Sequence, residues 1–236
     1  MKKTLLALLL LVTCFTLSRC HLICTDGSGV LKTETRTIGL IHEIKLDMDA
    51  DVFITKGAST SLSIETDDNL LGKITTDADD GELEIKSEGC ITSHQAVKIY
   101  LSVTDLGNIS VTGSGRLIMK DTISTKEVSI KVSGSGSVHG KFIAAQIKSI
   151  VTGSGEVVLS GSANTSELEV SGSGTLDASQ FPCNELDAKI TGSGSAVVYV
   201  IQTMDAKITG SGSLHYKGKP EINSHVTGSG TLVDEN

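Results

Sequence analysis

Glu167, Asp187 and Asp205 each stand five residues before the first glycine of a Gly-Ser-Gly triplet, and Lys189 and Lys207 follow two places after the second and third of them. If the units that carry them stack, the acids form one row and the lysines a second row beside it, with Glu169 next to Lys189. A row of carboxylates on an outer face could hold a hard cation through oxygen ligands. Joined by a lysine able to take up a proton, it could also begin a polysaccharide-lyase site. Alternating charges on a solvated face explain the same residues equally well. His139 and His215 hold one shared place, five past the first glycine of their units, four units apart. On a strand spacing of roughly 4.8 Å that puts them about 19 Å apart, far beyond the reach of one metal with ligand bonds of about 2 Å. His225 falls on another part of its unit. These read as surface histidines. No catalytic, cofactor or metal residue is assigned, and the acid and lysine rows remain the one candidate surface.

The element that must position these rows is a repeat. "VTGSG" or a close variant occurs at 111–115, 132–136, 151–155, 170–174, 190–194, 208–212 and 226–230, at steps of 21, 19, 19, 20, 18 and 18 residues. Two places before the first glycine stand Val111, Val132, Val151, Val170, Ile190, Ile208 and Val226. Four places after it stand Leu117, Val138, Val157, Leu176, Ala196, Leu214 and Leu232. Apolar residues alternate with polar ones such as Lys131, Glu169, Lys189 and Lys207, and a period of two means a strand with one buried face. A unit of this length cannot bury its apolar stripe alone, so units must stack. The expected fold is all-β: a parallel β-helix, a single-stranded solenoid of 18–21-residue coils with Gly-Ser-Gly corners. Glycine serves such a corner because it accepts positive φ and lets layers approach. The preceding Thr or Ser (Thr112, Ser133, Thr152, Ser171, Thr191, Thr209, Thr227) would form a ladder that can hydrogen-bond along the stack.

Other readings of the glycines are weaker. A phosphate-binding loop is one turn between a strand and a helix, and no helical pattern follows any copy. The calcium nonapeptide G-G-x-G-x-D fails as well, since only "GSGTLD" at 172–177 places an aspartate correctly.

The chain opens "MKKTLLALLLLVTCFTLSRC": two lysines and an apolar run, the form of a secretory signal peptide over residues 1–19. "LSRC" resembles a bacterial lipobox and makes Cys20 the lipidation candidate. Arg19 occupies a place where a small residue is usual, and "LVTC" makes Cys14 the alternative. Loss of residues 1–19 removes three cations and no acid, taking the formal charge from −8 to −11. Such a surface repels nucleic acid, and membrane contact is expected only through a lipid anchor. Cys24, Cys90 and Cys183 lie in a chain bound for a compartment where disulfides persist. None has C-x-x-C spacing, and small buried or loop cysteines are the favoured reading, with the pairing open.

Residues 30–106 lack the repeat but alternate like strands ("HEIKLDM", "DVFITKG", "SLSIET", "ELEIKS", "VKIYLSV"), with Asp80-Gly81 as a tight-turn signal. They are expected to begin or cap the helix that residues 107–236 build. The run "TIGLIHEIKLDMDADVFITKG", then "SLSIETDDNLLGKITTDADDGELEIKS", then serial "VTGSG" coils resembles the head GIN domain, an adhesin-head family, over roughly 34–233. The resemblance implies a right-handed parallel β-helix in exported bacterial proteins, often with lipoprotein-type signals. It brings no catalytic residues.

Aromatic residues make up 3% of the chain and Trp is absent. Of Phe53, Tyr100, Phe142, Phe181, Tyr199 and Tyr216, the last falls at an inward position, so few rings remain as platforms for sugars. The expectation is an exported cell-envelope protein with a non-enzymatic, adhesin-like role toward an unidentified protein or glycan. The alternative is a polysaccharide-binding or polysaccharide-degrading protein using the acid and lysine rows.

Overall fold

The computed structural model describes residues 24–236. The signal segment and both lipidation candidates, Cys14 and Cys20, lie outside the described residues. The alternating pattern yields nineteen strands and no α-helix among these residues. In the first half they are β1 (Thr25–Asp26), β2 (Leu31–Arg36), β3 (Glu43–Asp47), β4 (Asp51–Lys56), β5 (Ser61–Asp67), β6 (Ile74–Asp79), β7 (Glu82–Ser87), β8 (Ile91–Thr92) and β9 (Lys98–Val103). A single 3-10 turn, Leu71–Lys73, precedes β6. The repeat region gives β10 (Asn108–Gly113), β11 (Arg116–Met119), β12 (Ile123–Gly134), β13 (Ser137–Gly153), β14 (Glu156–Gly172) and β15 (Thr175–Gly192). It closes with β16 (Ser195–Gly210), β17 (Ser213–Lys217), β18 (Glu221–Gly228) and β19 (Thr231–Asp234).

The coils stack as a parallel β-helix, and all seven first glycines fall in one register: Gly113, Gly134, Gly153, Gly172, Gly192, Gly210 and Gly228. Apolar rows run through the interior. One is Leu83, Ile44, Ile109, Ile130, Leu168, Ala188 and Ala206, interrupted by buried Ser149 and ending at exposed Ser224. Another is Ile99, Val52, Leu117, Val138, Val157, Leu176, Ala196, Leu214 and Leu232. Nine layers separated by about 4.8 Å make a stack roughly 38 Å tall. Burying each Val, Leu or Ile contributes about 1.5–3 kcal/mol relative to exposure, so the rows hold the coils together without a conventional aromatic core. Among the described residues Phe142 and Phe181 are the two large rings fully inside.

The corner explains the motif. Gly172 has φ +113°, which disfavours any side chain, and a Cβ there would meet the Gly153 carbonyl oxygen at 2.6 Å. Gly174 has ordinary φ, but a Cβ on it would lie 2.6 Å from Val151 Cγ1 and 2.8 Å from the Gly155 carbonyl. The first glycine serves the turn, the second the close approach of layers. Backbone bonds such as Ser173 N–H to Gly153 O (2.9 Å) and Thr175 N–H to Gly155 O (3.0 Å) run from corner to corner. The Thr/Ser residues before the glycine do stack in register. Among the described residues no hydroxyl-to-hydroxyl bond joins that ladder; the backbone supplies the connection.

Layer order departs from chain order in the first half. β3 and β4 form one layer, sandwiched between β7/β9 on one side and β10/β11 on the other, all pairings parallel. Antiparallel strands close that end: β5 pairs with β9 and β2, and β6 pairs with β7. Asp80 (φ +46°) and Gly81 (φ +83°) make the β6–β7 turn, positive at both central positions as a tight hairpin of this hand demands. Cys24 and Cys90 form a disulfide next to the short β1–β8 pair, so of the three cysteines whose pairing the sequence leaves open these two are joined. Cys183 is free and buried.

Candidate functional site

The acid row exists as the repeat dictates. Lys148, Glu167, Asp187, Asp205 and Asn223 follow one another on successive layers of β13–β16 and β18, and Glu169, Lys189, Lys207 and His225 make the adjoining row. Their side chains point out of the helix because each lies between two inward residues of its strand.

Neighbours one layer away take up much of this charge. Lys148 Nζ lies 2.5 Å from Glu167 Oε1, Lys189 Nζ 2.8 Å from Glu169 Oε1, and Asn223 Nδ2 donates to Asp205 Oδ1 at 2.7 Å. The bond to Glu169 holds the Lys189 ammonium above its ordinary pKa, which favours a fixed cation over a base. The acids border an open groove of about 270 Å³ lined by Gln146, Thr165, Glu167, Glu185, Asp187 and Asp205. Among the described residues no group of three or more His, Cys, Asp or Glu has the geometry to hold a metal ion. The row can therefore present a patterned, partly neutralised surface, and the groove is the feature of it that could receive a chain-like ligand.

His139 and His215 share a row with Ile118, Val158, Asp177 and Val197 and stand four layers apart. His139 lies 3.6 Å from Glu156, and His215 Nδ1 lies 2.7 Å from Glu235. Neither approaches the acid row. Tyr216 packs partly against the core, as its place in the coil requires.

A count of rings understates the outward ones. Phe53 on β4 and Tyr100 on β9 are register partners, with ring centroids 5.5 Å apart and planes inclined by 24°. Lys120 Nζ sits 4.7 Å from the Phe53 centroid. The sequence signal was present: "DVFITKG" and "VKIYLSV" each carry one ring at an outward position of an alternating strand. What it lacked was the pairing, since the two rings are far apart in the chain.

A stack of parallel coils turning on Gly-Ser-Gly, closed at one end by antiparallel strands and displaying patterned outer rows, defines a β-helix repeat protein. Over residues 42–220 the chain matches the family described as "Putative auto-transporter adhesin, head GIN domain", and it belongs to that family. Solved structures share the fold. A protein from Bacteroides fragilis titled a putative adhesin superposes with a TM-score of 0.83 at 23% identity, over 89% of this chain and 99% of that one. One from Parabacteroides distasonis titled a putative lipid binding protein gives 0.78 at 24%, over 91% and 100%. A putative adhesin from Parabacteroides merdae gives 0.78 at 22%, over 90% and 99%. No curated protein matches the sequence. No helix among the described residues is long and apolar enough to cross a membrane.

Proposed function

We propose that this chain is exported to the bacterial cell envelope and works there as a non-enzymatic, adhesin-like interaction module. The observation that carries the reading is the outer surface of the coils, where three of the five charges best placed for chemistry are tied to neighbours one layer away: Glu167 to Lys148, Lys189 to Glu169, Asp205 to Asn223. A face built this way is stiff and regular, suited to contact more than to proton transfer. Family membership supports it, as does the leader with Cys20, or Cys14, as lipid-bearing residue. The Cys24–Cys90 disulfide fits an anchor at Cys20, because it fastens the chain to the helix four residues later. The partner is a surface protein or glycan, and nucleic acid is not expected on so acidic a chain.

The test is placement in a Gram-negative host, comparing wild type with Cys20→Ala and Cys14→Ala. Lipid labelling, membrane fractionation and protease shaving of intact cells are read together. Lipidation abolished by one of the two variants, with shaving from outside, supports the role. A soluble protein indifferent to both changes overturns it.

The groove beside Asp187 and Asp205 favours a second reading, a protein acting on polysaccharide. That reading requires product release from a glycan, abolished by Asp187→Ala with Asp205→Ala.

A further inference from the structure

Away from the acid groove, the layers at the capped end carry two clefts that share a wall. One, of about 230 Å³, runs between β5 and β9 and is lined by Thr35, Ser61, Ser63, Ser102 and the Tyr100 ring. The other, of about 500 Å³, lies over the rings and is bordered by Phe53, Tyr100, Lys98 and Lys120. Thr55 and Tyr100 line both, so the two form one trough across β5, β9 and β4.

Its chemistry is mixed in a particular way. Thr35, Ser61 and Ser63 carry hydroxyls that take no protein partner among the described residues, while Ser102 donates to the Ser59 carbonyl and keeps acceptor capacity. Tyr100 is 43% exposed, a ring that offers apolar area with a polar tip. The two lysines differ. Lys98 is neutralised by Glu65 at 3.1 Å. Lys120 has no carboxylate within 4 Å among the described residues and rests over the Phe53 ring, an unpaired cation on a chain of net charge −8. A ligand that satisfies all three features has C–H faces for the ring, many hydroxyls for the Ser/Thr wall, and a negative charge for Lys120.

We propose that this trough binds an acidic oligosaccharide, with one sugar ring against Tyr100 and the Ser61/Ser63/Thr35 hydroxyls and a neighbouring carboxylate-bearing sugar over Phe53 beside Lys120. Lys120 and the hydroxyl cleft lie on opposite sides of the ring pair, so the ligand spans at least two sugar units. A flexible apolar peptide would leave the hydroxyls unmatched, and a neutral glycan would leave Lys120 without its counter-charge. The proposal names the ligand class for the interaction role and rests on that reading.

The processed full-length protein is titrated with oligogalacturonate and, for comparison, with cello-oligosaccharide of matched length. Calorimetry is the primary readout, with tyrosine fluorescence as a second; the chain has three tyrosines and no tryptophan. Oligogalacturonate is expected to bind, with affinity falling as salt rises. Tyr100→Ala and Lys120→Gln should each weaken it about tenfold or more, and Tyr100→Phe should retain most of it. Ser63→Leu, which fills the trough from the opposite strand, should weaken it as well. Unchanged melting of the exposed-site variants shows that folding is intact. Absence of binding by wild type, equal binding of the neutral saccharide, or full affinity in Tyr100→Ala each overturns the site. Cell attachment that survives Tyr100→Ala also removes the site but leaves the interaction role standing, whereas a protein that never reaches the surface fails the role itself.

Discussion

A Cβ placed on Gly172 would lie 2.6 Å from the carbonyl oxygen of Gly153, one layer below it. The contact is with backbone, so no side-chain rotation relieves it. Gly113 has similar positive φ (+88°) but nothing within 4 Å of its would-be Cβ. The pair separates two effects of one motif. Gly113→Ala should cost about 1–2 kcal/mol from backbone conformation alone. Gly172→Ala should cost about 3 kcal/mol or more, because the layers must also part. Urea unfolding of the two variants checks the difference, and equal losses would mean that stacking is looser than the corner geometry requires.

That contrast shows how the fold was written into the sequence. The register of seven corners was legible because strand alternation and a fixed glycine interval demand the same arrangement. Asp80-Gly81 was legible because few residues accept positive φ twice in succession. The insertion of β3 and β4 between β7/β9 and β10/β11 was not, since alternation reports which face a strand buries and says nothing of which strand lies beside it. The same blindness hid the meeting of Phe53 with Tyr100 and of Cys24 with Cys90. The acid row is legible from coil positions alone; the pairing of Glu167 with Lys148 and the hydrogen bond from Asn223 to Asp205 depend on rotamers that only packing decides.

The acid row itself makes a modest claim on stability. Asp187→Ala combined with Asp205→Ala should change stability by no more than about 0.5 kcal/mol, as exposed substitutions do. Thermal melting with and without calcium is the measurement. A calcium-dependent rise in wild type that the double variant loses would turn attention to the polysaccharide-acting reading.

Cys183 should behave as a protected thiol. Burial pushes its pKa above the ordinary value of 9.0, so the folded protein holds the proton to higher pH than the unfolded chain does. This contribution to stability is complete below pH 9 and declines above it as the unfolded thiol ionises. In protein with Cys14 and Cys20 replaced by serine, iodoacetamide at pH 8 should label Cys183 only after denaturation. Fast labelling of the native protein would contradict the packing of Phe181 and Ala163 in the interior layers around it.

Removal of the disulfide should destabilise the capped end. Cys24→Ser with Cys90→Ser opens a loop of 66 residues, for which loop-closure entropy gives about 4 kcal/mol as an upper figure. Denaturant unfolding compared with reduced wild type is the check, and the two should agree. A loss below about 1 kcal/mol would show that the strands of the cap hold themselves.

The same bridge decides how the molecule would carry a load. Tension entering from the N-terminal side of Cys24 passes through the sulfur atoms directly to Cys90, and the intervening segment, which holds the inserted layer and the closing strands, is left slack in the force path. Pulled between its ends in a single-molecule instrument, the oxidised chain should release a contour shorter by roughly 220 Å than the reduced one. What then yields is the chain beyond Cys90: β9, and the serial coils one rung after another.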